Sequence, residues 1–218
     1  MNSSRADACR PGAGLTVRKG ILWVVGTLLA AAVALFSYRY VLGIGIVAPL
    51  IVDNTQRHPW LVVHVAGAAT ALLLGPLQFL PRLRARHRAV HRWIGRTYAV
   101  SCLVGGAAGL MLALGTSTGR LSTVGFGLLA VIWTLTTAMA WRYALKRNFV
   151  EHRRWMIRSF VLTLAAVTLR LYLPVAELLP VPIVDSYRAI SFLCWIPNLI
   201  AAELYLRATA RGSTGTAA

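Results

Sequence analysis

The sequence is poor in charged residues, and above all in acidic ones. Its 218 residues include 6 Asp and Glu, and the four charged residue types together make up 13% of the chain. Ordinary soluble domains carry about 25% charged residues. Hydrophobic residues account for 57% of the chain, and its mean hydropathy is +0.64. This composition excludes a soluble enzyme with a hydrated surface, and it excludes a disordered chain, which requires low hydrophobicity.

Cysteine and the common catalytic motifs are equally scarce. The three cysteines, Cys9, Cys102 and Cys194, are far apart and form no CxxC pair, so the sequence predicts neither a disulfide framework nor a zinc site built on cysteine. The sequence also lacks the GxxxxGK[ST] phosphate loop, the GxSxG nucleophile elbow and the HExxH zinc motif. These absences exclude the enzyme classes that depend on those motifs.

Long apolar segments are what the sequence has instead. A hydrocarbon core of about 30 Å requires roughly 20 apolar residues of helix. Six segments meet this requirement, at residues 20–38, 59–80, 93–115, 122–141, 156–178 and 189–206. The first is interpreted as a retained helix, because its apolar run continues past the Ala-Val-Ala stretch that resembles a cleavage site. The sequence therefore predicts an all-α, polytopic transmembrane bundle with six spans.

The basic residues predict how this bundle is oriented. They concentrate at the two termini and in the second and fourth links between spans, which is typical of the cytoplasmic side. We therefore expect both termini in the cytoplasm of a bacterial cell, with the bundle in its cytoplasmic membrane. Residues 1–19 would form a basic N-terminal segment, 20–206 the transmembrane domain and 207–218 a flexible tail. The charge of +17 then indicates contact with anionic lipid headgroups and not with nucleic acid.

Small residues recur every four positions in the second and third spans. They include Gly67 and Gly75 in one span and Gly105 and Gly109 in the other. Helices in lipid approach each other closely where such residues face each other. Because the link between these two spans is short, the pattern predicts a tightly packed helical hairpin.

Polar side chains inside the spans are the main candidates for function. They are His64, Gln78, Arg158, Arg170 and Glu203. Such groups are costly in a membrane and normally face the protein interior or a water-filled cavity. Arg170 is the deepest, about 21 Å from the cytoplasmic start of its span at 1.5 Å per residue. We expect a polar interior site lined by four of them, His64, Gln78, Arg170 and Glu203.

Comparable depths in the membrane predict how these groups pair. Arg158 and Glu203 lie near the cytoplasmic end of neighbouring spans, which favours an ion pair. In the outer half, Arg170 is expected either to meet Glu177, two turns further along its own helix, or to lie near His64. An Arg170 without a partner would require a cavity or an anionic ligand.

The histidines leave open a haem site and a structural role. Two imidazoles on different helices at one depth are needed to ligate a haem from both sides. His58 and His64 are on or beside one helix, so His91 and His152 are the one plausible axial pair, for at most one b-type haem. The spacing of His87 and His91 also suits a metal on a helix face. Histidines in such an arginine-rich link are otherwise simply solvated.

Six sequence blocks carry a resemblance to a known family. They are HVAG at 64–67, GPLQF at 75–79, HRWIGRTY at 91–98, HRRWMIRSF at 152–160, TLRLY at 168–172 and WIPN at 195–198. Over roughly residues 58–206, the chain resembles the bacterial multi-pass membrane proteins called domain of unknown function 2306. The resemblance implies a membrane location and a helical architecture. The positions that match family motifs are His64, Gln78, His91, His152, Arg158, Arg170 and Glu203.

A second similarity is more limited in extent. His64, a helix rich in small residues, and His91 followed by Gly95 are similar to cytochrome b561-type bundles. Such bundles bind two haems through four histidines in the membrane, and this chain lacks a second ligand on the outer side. The similarity therefore implies no two-haem protein.

Three classes of function remain open from the sequence. The first is an integral membrane protein that binds or passes a small anionic or lipid-like molecule, with Arg170 holding the anion and His64 exchanging a proton or hydrogen bond. No inverted repeat or pair of broken helices is evident, which argues against a transporter. The second is an electron carrier linked to a b-type haem or a quinone, using His91 and His152. The third is a structural or accessory membrane subunit.

Overall fold

The computed structural model describes residues 13–45, 47 and 49–214. Most of the expected N-terminal segment, with Cys9, lies outside these residues, as does the end of the expected C-terminal tail. All the regular elements in the described part of the chain are helices. They are α1 (Ala13–Ser37), a 3-10 turn (Tyr38–Tyr40), α2 (Pro49–Val52), α3 (Arg57–Gln78), α4 (Pro81–Arg86), α5 (Arg88–Leu114), α6 (Arg120–Leu145), α7 (Phe149–Thr163), α8 (Ala165–Glu177), α9 (Ile183–Leu193) and α10 (Ile196–Thr214).

Six helical segments are long and apolar enough to cross a membrane, which confirms the predicted all-α, six-span fold. They are Gly20–Tyr40, Arg57–Gln78, Arg88–Leu114, Arg120–Leu145, Phe149–Glu177 and Ile183–Ala210. Several begin earlier than the apolar runs do, and the helix of the third span starts at Arg88. The extra turns carry arginines, which hydropathy does not count but which helices tolerate well at the membrane surface.

Close contact between α3 and α5 confirms the predicted hairpin. A Cβ atom added at Gly67 would lie 2.6 Å from the backbone oxygen of Ser101 and 2.9 Å from the Cα of Gly105. A methyl group at this position would therefore force the two backbones apart. The short α4 and the turn around His87 connect the two helices.

The fifth and sixth spans each divide into two helices, with helical torsions kept at Leu164 and Cys194. The fifth changes from α7 to α8 at Leu164, and the sixth from α9 to α10 at Cys194 and Trp195. Asn198 connects the two interruptions, because its amide nitrogen donates to the backbone oxygens of Val161 at 3.3 Å and Cys194 at 3.1 Å. A side chain that bonds to the helical backbone in this way is a recognised cause of a kink.

Buried side chains of the last five spans form the main core. The largest fully buried one is Tyr98, and the sixth span adds Ile190, Cys194 and Trp195. The sixth span is therefore part of the core. The first span adds only small residues, such as Ala30, to a separate cluster.

Candidate binding cavity

A cavity of about 450 Å³ lies inside the bundle, in the half away from the chain termini. The residues that line it come from α1, the following 3-10 turn, α2, α3, α5, α6, α7, α8 and α9, and from the links between them. Its wall is mostly aliphatic and aromatic, with a few polar groups that converge on the interior. This combination is typical of sites for one small molecule, whose volumes are about 300–1,000 Å³.

Arg170 is the principal polar group of the cavity. Its guanidinium donates from Nη1 to the backbone oxygen of Ala166 at 3.0 Å and from Nη2 to the hydroxyl of Ser37 at 2.7 Å. Both acceptors are neutral. Among the described residues Arg170 has no ion pair, and Glu177 is exposed. The expected pair with Glu177 is therefore wrong, because the exposed Glu177 forms no ion pair with Arg170.

His64 lines the same cavity, as the alternative expectation for Arg170 required. Its Nδ1 lies 2.8 Å from the backbone oxygen of Gly105. A carbonyl oxygen only accepts, so this contact assigns the proton of the neutral ring to Nδ1 and leaves a lone pair on Nε2. The ring has room because a Cβ atom at Gly109 would lie 2.9 Å from Nδ1.

A second arginine strengthens the positive character of the cavity. Arg39 lines it and donates from Nη2 to the hydroxyl of Tyr40 at 2.8 Å. The guanidinium of Arg39 also lies 4.5 Å from the centre of the Phe36 ring. None of the described residues that line the cavity is acidic. The cavity therefore combines two arginines with an apolar wall and lacks a carboxylate of its own among these residues.

Hydroxyl groups connect three helices, α5, α6 and α7, beneath the cavity. The Tyr98 hydroxyl shares hydrogen bonds with Ser159 at 2.9 Å and Thr163 at 3.1 Å, and Ser159 shares one with Thr137 at 2.7 Å. The indole of Trp133 donates to Thr163 at 2.9 Å. Thr163 and Trp133 also line the cavity. These bonds satisfy the buried hydroxyls and fix the position of the cavity floor.

The structure separates the other expected site residues from the cavity. Arg158 donates to Glu203 from Nε at 2.5 Å and from Nη2 at 3.0 Å, so the predicted ion pair is confirmed. This pair, like Gln78, lies toward the end that carries the termini and does not line the cavity. Gln78 is 8% exposed and packs across Gly95. The site expected from four residues thus contains only His64 and Arg170.

His91 and His152 lie near enough to each other for their charges to interact. The Nδ1 of His152 is 2.9 Å from the backbone oxygen of Ala140, so it donates to that carbonyl and leaves Nε2 free. The Nδ1 of His91 is buried and has no partner. The part of the chain that the structure describes has no group of three His, Cys, Asp or Glu side chains placed to hold a metal.

Several residues of the cavity were not predicted from the sequence. Arg39, Tyr40, Asn54 and Tyr187 all line the cavity. The Tyr-Arg-Tyr sequence at 38–40 is a usable signal, because tyrosine and arginine are typical of membrane interfaces. The interruption of the sixth span has a signal too, since Pro197 is tolerated only in the first turn of the helix that follows. The interruption at Leu164 has none.

A family match covers most of the last five spans, which provide most of the cavity wall. Residues 61–206, about two thirds of the chain, match the family described as "Predicted membrane protein (DUF2306)". The chain belongs to the DUF2306 family. As a DUF2306 protein with six candidate spans it is an integral membrane protein. No curated protein and no solved structure matches it, so the similarity to cytochrome b561-type bundles stays a prediction.

Proposed function

We propose that this DUF2306 protein binds a small anionic or lipid-like molecule in the cavity, with Arg170 holding the anionic group. The observation that carries this proposal is the guanidinium of Arg170, which lines an apolar cavity and has only neutral oxygens as partners. An arginine at such depth in a membrane is costly unless an anion or water compensates its charge. Three of its five N–H donors remain for a ligand.

His64 supplies the second polar contact in this proposal. With its Nδ1 proton held by Gly105, the Nε2 atom accepts a hydrogen bond or a proton from the ligand. A ligand that bears an acidic group would thus meet a cation at Arg170 and a base at His64. The apolar remainder of the wall would contact its hydrocarbon part.

Ligand binding by the full chain in detergent tests the proposal. Titration calorimetry with palmitate and with inorganic phosphate would cover a lipid-like and a small anion. We expect at least one to bind, and Arg170→Gln to weaken it by about 10- to 100-fold, since a hydrogen bond to a charged group contributes roughly 1.5–3 kcal/mol. Arg120→Gln is the matched control, because Arg120 is exposed at the same end of the bundle and lies outside the cavity. Equal binding by the two variants would contradict the proposal.

The finer location is also part of the proposal: the bacterial cytoplasmic membrane, with both termini inside the cell. It rests on the basic links, where Arg82, Arg84, Arg86 and Arg88 are all exposed. A membrane-impermeant maleimide applied to intact cells, with the native cysteines replaced by alanine, tests this orientation. We expect it to label Arg120→Cys and to spare Arg86→Cys, and the reverse pattern would overturn it.

The same basic links are proposed to bind anionic lipid headgroups. Each exposed arginine near an anionic surface contributes about 1 kcal/mol of attraction. We expect a higher melting temperature in nanodiscs of phosphatidylglycerol than of phosphatidylcholine, with a difference that shrinks as salt is added. A difference that does not respond to salt would argue against this contact.

A b-type haem or quinone-linked electron carrier is the second candidate. The bond from His152 to Ala140 favours it, since ligating histidines usually donate their other ring nitrogen to a carbonyl or carboxylate. His91, with its unpartnered Nδ1, would be the opposite ligand. If neither candidate holds, a structural or accessory subunit remains, in which the intramembrane charges serve packing alone.

A further inference from the structure

A second space meets the cavity at Arg170. It is an open groove of about 410 Å³ between α1 and α8. Ala32, Val33, Phe36, Arg170, Leu173, Pro174 and Glu177 line it. Three of these, Phe36, Arg170 and Leu173, line the cavity as well. Only a few side chains therefore stand between the interior site and the outside of the bundle.

The groove opens onto the surface that hydrocarbon would cover. The flanking side chains are large, apolar and exposed, with 64% of Leu35, 52% of Leu171 and 54% of Val175 accessible. All three lie within candidate spans. In a membrane such a surface contacts lipid tails and not water. A molecule that passes through the groove would therefore come from the bilayer.

Asn54 and Thr55, in the described part of the link between the first two spans, bond to the end of α5 beside the cavity. Asn54 lines the cavity and donates from Nδ2 to the backbone oxygen of Leu112 at 2.8 Å. The amide of Thr55 donates to the backbone oxygen of Gly115 at 3.0 Å, and its hydroxyl donates to the same oxygen at 3.3 Å. These bonds hold the link across the end of α5. A ligand that displaced this part of the link would have to break them, whereas the groove already reaches Arg170.

We propose that the cavity is loaded sideways from the bilayer, through the groove between α1 and α8, by a single-chain amphiphile with an anionic head. This inference rests on the function proposed above and specifies its ligand. The head would bind Arg170 at the junction of the two spaces, and the chain would lie along the apolar wall. Charge complementarity selects the head, since no described residue of the cavity wall is acidic and Glu177, which lines the groove with Arg170, forms no ion pair with it. The groove itself selects a molecule dissolved in lipid.

A photoreactive palmitate with a diazirine on its chain would test this route. The full chain is placed in phosphatidylcholine vesicles, the probe is added, and samples are illuminated at successive times before mass spectrometry locates the labelled residues. Equilibrium labelling is measured separately in detergent. Ala32→Trp fills the groove with an indole from an exposed position, and Leu28→Trp is its control, one turn away, exposed, and outside the groove.

We expect Ala32→Trp to slow labelling of cavity residues in vesicles by roughly tenfold, as narrowed access lowers an association rate, with unchanged equilibrium labelling. Phe36→Ala should speed it, because it removes a ring shared by both spaces. If the cavity residues of Ala32→Trp are labelled as fast as those of Leu28→Trp, the proposed route is wrong. It is also wrong if equilibrium labelling is lost in Ala32→Trp alone. If the proposed function is wrong, the result is different: the cavity residues are not labelled, or their labelling is the same in Arg170→Gln. If inorganic phosphate competes with the probe and prevents labelling of the cavity, the proposed ligand would be a small anion and not an amphiphile.

Discussion

Arg170 donates a hydrogen bond of 2.7 Å from Nη2 to the hydroxyl of Ser37, 133 residues earlier in the chain. The Ser37 hydroxyl in turn donates to the backbone oxygen of Val33 at 2.6 Å, which aims its lone pairs at the guanidinium. This contact joins the first span to the fifth at the point where the cavity meets the groove. It holds the cation in place and fixes the spacing of the two helices beside it.

Replacing Ser37 with alanine should destabilise the protein by about 1.5 kcal/mol, near the top of the range for interhelical hydrogen bonds in membranes, because the donor is charged. Unfolding in mixed micelles of dodecylmaltoside and SDS measures the free energy. Thr27→Ala is the control, since that exposed hydroxyl bonds only to Trp23 in its own helix. The loss should shrink in an Arg170→Gln background. An equal loss in both backgrounds would show that the bond to Arg170 is not the cause.

Glu203→Gln should leave Arg158 without its carboxylate and cost about 1–2 kcal/mol of stability. This is less than a fully buried pair would lose, because the side chains of Arg158 and Glu203 are 21% and 34% exposed. Glu151→Gln is the comparison, since its pair with Arg154 joins residues of one helix and its arginine is more exposed, at 41%. Its loss should be below about 0.5 kcal/mol. Similar losses from both substitutions would contradict a stabilising role for the pair of Arg158 and Glu203.

Gly67→Ala should destabilise the hairpin of α3 and α5 by about 1–3 kcal/mol, the usual cost of overpacking. The added methyl group would lie 2.6 Å from the backbone oxygen of Ser101. Because this neighbour is backbone, no side-chain movement can relieve the overlap. Gly127→Ala provides the control, because a Cβ atom there meets only Leu110 Cδ1, at 3.9 Å. The same mixed-micelle unfolding measures both. If Gly67→Ala left the free energy of unfolding unchanged, the two helices would be able to separate without cost.

The second candidate function predicts an absorption spectrum. Protein purified from haem-replete cells should show a Soret band, and sharp α and β bands after reduction with dithionite. His152→Ala should abolish the bands, whereas His87→Ala should preserve them because His87 is exposed. A featureless visible spectrum would remove the haem candidate and leave the cavity proposal untouched, since His91 and His152 do not line that cavity.

Local patterns predicted much of the fold because a membrane restricts what a chain can do. Six apolar runs of sufficient length leave few alternatives to six spans, and small residues every four positions made the hairpin of Gly67 and Gly105 predictable. The pair of Arg158 and Glu203 was predictable from their depth in the membrane alone, because each charge has one oppositely charged residue at the same depth. Arg170 had two candidate partners at its level, and depth did not distinguish them.

The sequence by itself determined that this chain is a membrane bundle, that its helices pack through small residues, and that a cation lies deep in the fifth span. Only the tertiary structure decided what surrounds that cation. The packing of the helices placed Ser37 in hydrogen-bond contact with Arg170, His64 in the same cavity, and Glu177 at an exposed position of the groove. Helix rotation and the interruptions at Leu164 and Cys194 depend on side chains of several helices at once, of which Asn198 is one. The sequence pattern of one helix shows which residues share a face, but it does not show which helices pack against that face. The cavity and its groove therefore became apparent only in the assembled bundle.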